Sequence, residues 1–141
     1  MTPSVAVLIT CFNRKALTLK CIQKVYEQVN LSSVNISIYV VDDNSTDGTY
    51  LAIEQAYPDV NLIKGCGSLF WNGAMRLAYS KAKLEEHDYY LWLNDDTQLA
   101  TNALHSLLAC ENEYKQSFAS DNKQTIVTGS TSNLARTATT Y

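Results

Sequence analysis

The stretch ISIYVVDDNSTDGTYLAIE, residues 36–54, decides how the chain is read. Ile36–Val41 is dominated by apolar and β-branched residues, the composition of a strand covered on both faces. Asp42, Asp43, Asn44 and Ser45 follow at once, and Thr49 to about Tyr57 reads as a helix stopped by Pro58. Strand, polar loop and helix in so short a span make one unit of an α/β fold.

The same unit recurs on either side. Val5–Thr10 (VAVLIT) is a buried strand, and Asn13 is placed to cap a helix running from Arg14 to about Val29, with Leu17, Cys21, Ile22, Val25 and Val29 inward. Asn61–Lys64 is a short strand before a helix at Trp71–Leu84, whose inner face is Met75, Ala78, Tyr79 and Ala82. Tyr89–Leu93 (YYLWL) is a strand, Ala103–Tyr114 a helix with Leu104, Leu107 and Leu108 inward, and Thr125–Thr128 a last short strand. Strict alternation predicts a mostly parallel sheet with helices on both faces and right-handed crossovers. Ligands of such sheets bind at the carboxyl ends of the strands. There the sequence places Cys11-Phe12-Asn13, Asp42-Asp43-Asn44-Ser45, Gly65-Cys66-Gly67-Ser68 and Asn94-Asp95-Asp96-Thr97.

Counted from Asp43, the loop fits the spacing of a calcium loop, with Ser45, Asp47, Gly48 and Glu54 at the remaining positions. The residues ahead of it, Leu31–Val41, lack the helical stripe that such a loop needs, and the loop stands alone. Turn and cap chemistry accounts for Ser45, Thr46, Asp47 and Gly48, with Thr46 or Asp47 as the helix cap. It leaves Asp42 and Asp43 unexplained, because adjacent carboxylates at a buried strand end repel and lose hydration. One is expected to face a ligand and the other to bond backbone or side-chain donors. Asp95 and Asp96 repeat the arrangement after five apolar or aromatic residues. Two carboxylates on such a turn suit Mg²⁺ or Mn²⁺, which keep open positions for phosphate oxygens.

Composition narrows the classes. The 141 residues carry a net charge of −3, with 46% hydrophobic and 18% charged residues, enough for a real core and against disorder. No Lys/Arg cluster tracks a phosphate backbone, so no nucleic-acid partner is expected. Cys11, Cys21, Cys66 and Cys110 show no C-x-x-C spacing and fall mostly in apolar segments, which fits buried, reduced thiols in a cytoplasmic protein. Neither a signal peptide nor a membrane-spanning run is read. Gly65-Cys66-Gly67 lacks the Gly-Lys-Ser/Thr of a phosphate-binding P-loop. His87 and His105 read as surface or helix-face residues, Trp92 as core, and Trp71 as a residue that could stack on sugar.

VAVLITCFNR, VVDDNSTDGT, FWNGAMRLAY and YYLWLNDDT together resemble the N-terminal half of a family 2 glycosyltransferase of the GT-A, Rossmann-like fold. FWNGAMR with YLWLNDDT is similar to bacterial members that build surface polysaccharides, including rhamnosyltransferase-like ones. The resemblance covers Val5 to about Ser130. It implies a nucleotide-sugar-binding domain over residues 1–130, with 131–141 opening a segment cut short before the acceptor-binding half.

Residue by residue, the resemblance implies a nucleotide pocket from Thr10, Phe12, Asn13, Asp43, Asn72, Arg76 and Asp95. Thr10 and Phe12 would line the base, and Phe12 lacks the tyrosine hydroxyl usual there. Asp43 would accept the pyrimidine N3–H. Asp96, with Asp95, would hold Mg²⁺ or Mn²⁺ on the diphosphate. Asn94 replaces a frequent acid and Trp71 a frequent arginine, whose charge Arg76 could supply. Lys64 is a further candidate near the diphosphate. The implied reaction is inverting, metal-dependent transfer of a sugar from a UDP- or dTDP-sugar to a glycan or lipid-linked acceptor. Its carboxylate general base would lie beyond residue 141, as would any membrane contact, and a homo-oligomer is left open. The alternatives are a truncated, inactive homologue serving as a binding or scaffold module, and a sugar nucleotidyltransferase. Against the latter, Thr10–Arg14 lacks the Gly-rich loop of that class.

Overall fold

A computed structural model describes residues 2–28, 33–117 and 125–130. The strands are β1 (Ser4–Cys11), β2 (Asn35–Asp42), β3 (Asn61–Lys64) and β4 (Tyr89–Asn94), and the helices α1 (Lys15–Tyr26), α2 (Thr49–Ala56), α3 (Phe70–Ala82) and α4 (Ala103–Ser117). All strand pairs are parallel and the order is β3-β2-β1-β4. The chain winds outward from β1 through β2 to β3, then returns to place β4 on the other side of β1. The carboxyl ends of β1 and β4 therefore flank the switch point of the sheet, where an open α/β fold leaves a crevice.

β1 is buried along its length, as a strand covered on both faces must be. Ala6 and Leu8, with Tyr39 and Val41 of β2, pack against Ala74, Met75, Ala78 and Ala82 of α3. Three alanines on that helix let it lie close to the sheet. The opposite side chains, Val5, Val7, Ile9, Ile38 and Val40, are equally buried, and α1 and α2 bury Thr18, Cys21, Ile22, Val25 and Ile53. Each full burial of such an aliphatic side chain stabilises by about 1.5–3 kcal/mol. Contacts divide the chain into two compact units, residues 1–101 and 102–141. The first holds the sheet and α1–α3; the second contains α4, on which Leu104 is buried. No helix of the described residues is long and apolar enough to cross a membrane.

Several expectations are corrected. Leu17 is exposed and Thr18 takes its inward place, with the Thr18 hydroxyl donating to the Arg14 carbonyl at 2.9 Å so that no polar group is stranded. Val29 lies outside the described residues. Asn13 is not the cap of α1: Arg14 holds the cap position without a side-chain bond. Thr125–Thr128 forms no strand, and Ile126 is exposed. Cys66 and Cys110 are exposed, whereas Cys11 and Cys21 are buried, and all four thiols are free. Burial pushes the Cys21 thiol up to about 12 and the Cys11 thiol up as well, aided there by the charge of Asp42.

The His87 side chain is buried rather than at the surface. Its Nε2 lies 3.2 Å from the Tyr39 hydroxyl, and its ring stands edge-on to Tyr39 and Tyr90. Trp92 is half-exposed, not core: among the described residues β4 pairs only with β1 and is an edge strand.

Candidate functional site

The loop after β2 spends nearly all of its oxygen on backbone N–H groups. Asp42, fully buried, accepts the Ser45 N–H on Oδ1 at 2.8 Å, and its Oδ2 has no partner among the described residues. Asp43 accepts three N–H groups: Gly67 on Oδ1 at 2.7 Å, and Leu69 and Phe70 on Oδ2 at 2.9 and 3.2 Å. A carboxylate at the start of α3 satisfies donors that the helix leaves open and complements its dipole. That interaction also supports Phe70, whose φ of 52° is uncommon for a residue with a side chain. Gly65 permits the approach, since a Cβ there would lie 2.5 Å from Asp43 Oδ1. Gly67, at φ 87°, supplies the left-handed turn that aims its N–H.

Asp47 joins two helices. Its Oδ2 accepts the Lys15 N–H at 3.1 Å, and its Oδ1 accepts the Thr49 N–H at 3.0 Å and the Thr49 hydroxyl. One carboxylate thus caps the first turns of both α1 and α2, and these donors, the Thr49 hydroxyl foremost, hold its pKa below the usual range. Asn13 completes the stitching: its N–H donates to Ser45 Oγ at 2.9 Å, and its Oδ1 accepts the Thr46 N–H at 2.7 Å. The oxygen-rich run is chiefly the frame of two loops. No group of three His, Cys, Asp or Glu able to hold a metal ion occurs among the described residues.

The pair after β4 is held differently. Asp95 is buried and Asp96 half-exposed, and one guanidinium nitrogen bridges them: Arg14 Nη1 lies 3.3 Å from Asp95 Oδ1 and 3.2 Å from Asp96 Oδ2. Burial raises the Asp95 pKa, the Arg14 charge opposes that shift, and the Asp96 charge adds to it. This contact spans the switch point. Sequence reasoning missed Arg14, although a basic residue just beyond β1, opposite an acid pair beyond β4, is a readable signal once the strands are neighbours.

The other predicted site residues distribute around this edge. Thr10 is buried at the end of β1, paired with Val41 on one side and Asn94 on the other. Phe12 is exposed just beyond it. Asn72 and Arg76 are exposed on the first turns of α3, and Arg76 makes no ion pair among the described residues. Trp71 donates its indole N–H to Asn94 Oδ1 at 3.1 Å, which ties the start of α3 to the end of β4, and it leans on Trp92 with ring centres 6.2 Å apart. Lys64 lies over the Tyr50 ring and is brought to none of these groups by a hydrogen bond or ion pair.

Residues 6–131 match the family described as Glycosyl transferase family 2, and the chain belongs to that family. The fold agrees with solved structures. S. aureus TarS 1–349 in complex with UDP superposes with a TM-score of 0.64 at 20% identity, covering 78% of this chain and 32% of that one. The mannosyltransferase PcManGT from Pyrobaculum calidifontis, in complex with GDP-Man and Mn²⁺, gives a TM-score of 0.65 at 22% identity, covering 77% and 32%. TarS 1–349 in complex with UDP-GlcNAc gives 0.64 at 20%, covering 78% and 31%. The chain thus spans about a third of the length of these relatives. No curated protein matches it in sequence. The fold is the GT-A, Rossmann-like α/β fold of glycosyltransferases, in its N-terminal part.

Proposed function

We propose that the chain is the donor-binding part of an inverting, metal-dependent glycosyltransferase that takes a UDP- or dTDP-sugar and serves a glycan or lipid-linked acceptor. The observation that carries the reading is the Asp95–Asp96 pair at the switch point, held by a single loosely bound guanidinium. Its chemistry fits Mg²⁺ or Mn²⁺: two hard oxygens from the protein, with the remaining positions left to phosphate and water. That relatives of the same fold are described with UDP, UDP-GlcNAc, or GDP-Man and Mn²⁺ supports the same class of ligand.

Asp95 and Asp96 would hold the cation, which when bound supplies Lewis-acid neutralisation of the diphosphate leaving group. The residues themselves bind and orient. Thr10 and Phe12 flank the base. Asp43, with three of about four lone-pair positions taken, keeps one on Oδ1 for the N3–H of a pyrimidine. Asn13 acts on the nucleotide by fixing the loops around it, and Asn72 and Arg76 present a donor and a charge from α3. None of these residues is assigned the role of general base for the acceptor proton. The reaction is placed in the cytoplasm.

Calorimetric titration of UDP and of dTDP, each with and without Mn²⁺, tests the reading. Binding that Mn²⁺ strengthens, and that Asp96→Ala renders indifferent to Mn²⁺, is the expected result. Absence of binding to either nucleotide in both conditions refutes it. One observation favours a scaffold role as the second reading: Trp71 and Trp92 are both half-exposed side by side. Concentration-dependent association without nucleotide binding would select it.

A further inference from the structure

Arg14 is poorly explained as an ordinary ion pair. It meets both carboxylates through the same nitrogen, at 3.3 and 3.2 Å, longer than the usual charged N–H···O contact of about 2.7–2.9 Å. The planar fork that lets arginine grip one carboxylate with two parallel bonds is left unused. Among the described residues Nε and Nη2 reach no carboxylate, and the side chain is 51% exposed. Its backbone, in contrast, is fixed. It follows Asn13, which is bonded to Ser45 and Thr46, and it opens α1, whose first N–H is capped by Asp47. The result is a half-exposed charge on a backbone held at both ends, placed over two carboxylates at the switch point.

We propose that Arg14 is an exchangeable stand-in for the divalent cation. It neutralises Asp95 and Asp96 when no metal is bound, and it is displaced when a metal ion takes the two carboxylates. Its freed guanidinium then engages the diphosphate of the nucleotide. The inference rests on the donor-site reading above and adds a diphosphate-binding residue to it. A divalent cation on the same two oxygens competes with the guanidinium for them and repels its charge, so the proposed order is metal in, guanidinium out. The diphosphate that accompanies the metal offers adjacent anionic oxygens, which match the unused fork bidentately. An idle surface pair would predict none of this, because removing one changes little.

The test uses the whole 141-residue chain as wild type, Arg14→Gln and Arg14→Lys. Free Mn²⁺ is read by electron paramagnetic resonance with no nucleotide present, and UDP affinity is read by calorimetry at saturating Mn²⁺. Arg14→Gln is expected to bind Mn²⁺ alone several-fold tighter, yet to lose roughly tenfold in UDP affinity, the scale of one charge-assisted contact. Arg14→Lys should still compete with Mn²⁺ and recover UDP binding only in part, having charge without the fork. If Arg14→Gln binds Mn²⁺ no tighter than wild type, the stand-in role is overturned. If it binds UDP as well as wild type, the diphosphate role is overturned. Wild type that binds neither Mn²⁺ nor UDP fails the donor-site reading itself, whereas failure confined to the Arg14 variants leaves that reading intact. Should Arg14→Gln not fold, Arg14→Lys decides the diphosphate role alone, since UDP affinity equal to wild type would overturn the need for a fork.

Discussion

Two Asp-Asp pairs flank the same central strand: Asp42-Asp43 at the end of β2 and Asp95-Asp96 at the end of β4. Their local sequences, VVDDN and WLNDDT, are alike. Their surroundings are not. The first pair has backbone N–H groups from Ser45, Gly67, Leu69 and Phe70 turned onto it. The second shares one exposed side chain, Arg14. Carboxylates that accept backbone N–H groups at fixed geometry are part of the frame, whereas the second pair meets only a half-exposed side-chain cation by hydrogen bond or ion pair among the described residues. The difference lies in the loops that follow, and under the proposed function it separates a pair that builds the frame from a pair that would meet the ligand.

Breaking the frame should cost the most. Asp43→Ala removes a charged acceptor from three N–H donors and is expected to destabilise the fold by about 3 kcal/mol or more in urea denaturation. A loss under about 1 kcal/mol would show that those donors find water instead. Gly65→Ala attacks the same anchor sterically, since its Cβ would lie 2.5 Å from Asp43 Oδ1 and 2.9 Å from its Cα. A cost of about 2 kcal/mol is expected from overpacking against backbone.

Asp47→Ala should cost about 1 kcal/mol, the usual loss for a cap. It also sharpens the comparison through pH. The pKa of Asp47 is lowered in the fold, first by the Thr49 hydroxyl and then by the backbone N–H groups. Its contribution is therefore full above the ordinary aspartate range and is lost as pH falls through the lowered folded value. The gap between wild type and Asp47→Ala in thermal melts should accordingly close below about pH 4. Persistence of the gap at lower pH would mean that packing, not charge, sets it.

Asp96→Ala should change stability least, within about 0.5 kcal/mol, because it removes a half-exposed, single-nitrogen contact. The same variant is expected to abolish the Mn²⁺ effect on UDP binding.

Most of the architecture was legible because each βα unit carries its own signature. The run VAVLIT, the ISIYVV strand and the Met75–Ala78–Ala82 stripe each fixed an element within a residue or two, and strict alternation fixed the parallel sheet. What local pattern does not carry was missed. Trp92 reads as core in YYLWL, and only the strand order shows that β4 is the edge of the sheet among the described residues. His87 reads as a lone polar residue, and only the fold brings Tyr39 and Tyr90 around it. Arg14 and the acid pair are more than eighty positions apart and meet because the chain returns to the far side of β1. The gathering of polar residue types at one edge of the sheet was legible, and which carboxylates the backbone had already engaged was not.

The central claim, that the pair after β4 and not the pair after β2 receives the cation, is tested most directly by titrating Mn²⁺ into ¹⁵N-labelled protein and following paramagnetic broadening of the amide signals. The account predicts that the amides of Arg14 and of Asn94–Thr97 broaden at the lowest Mn²⁺ and that Asp96→Ala removes the effect. Broadening centred instead on Asp42–Asp47, unchanged by Asp96→Ala, would contradict it.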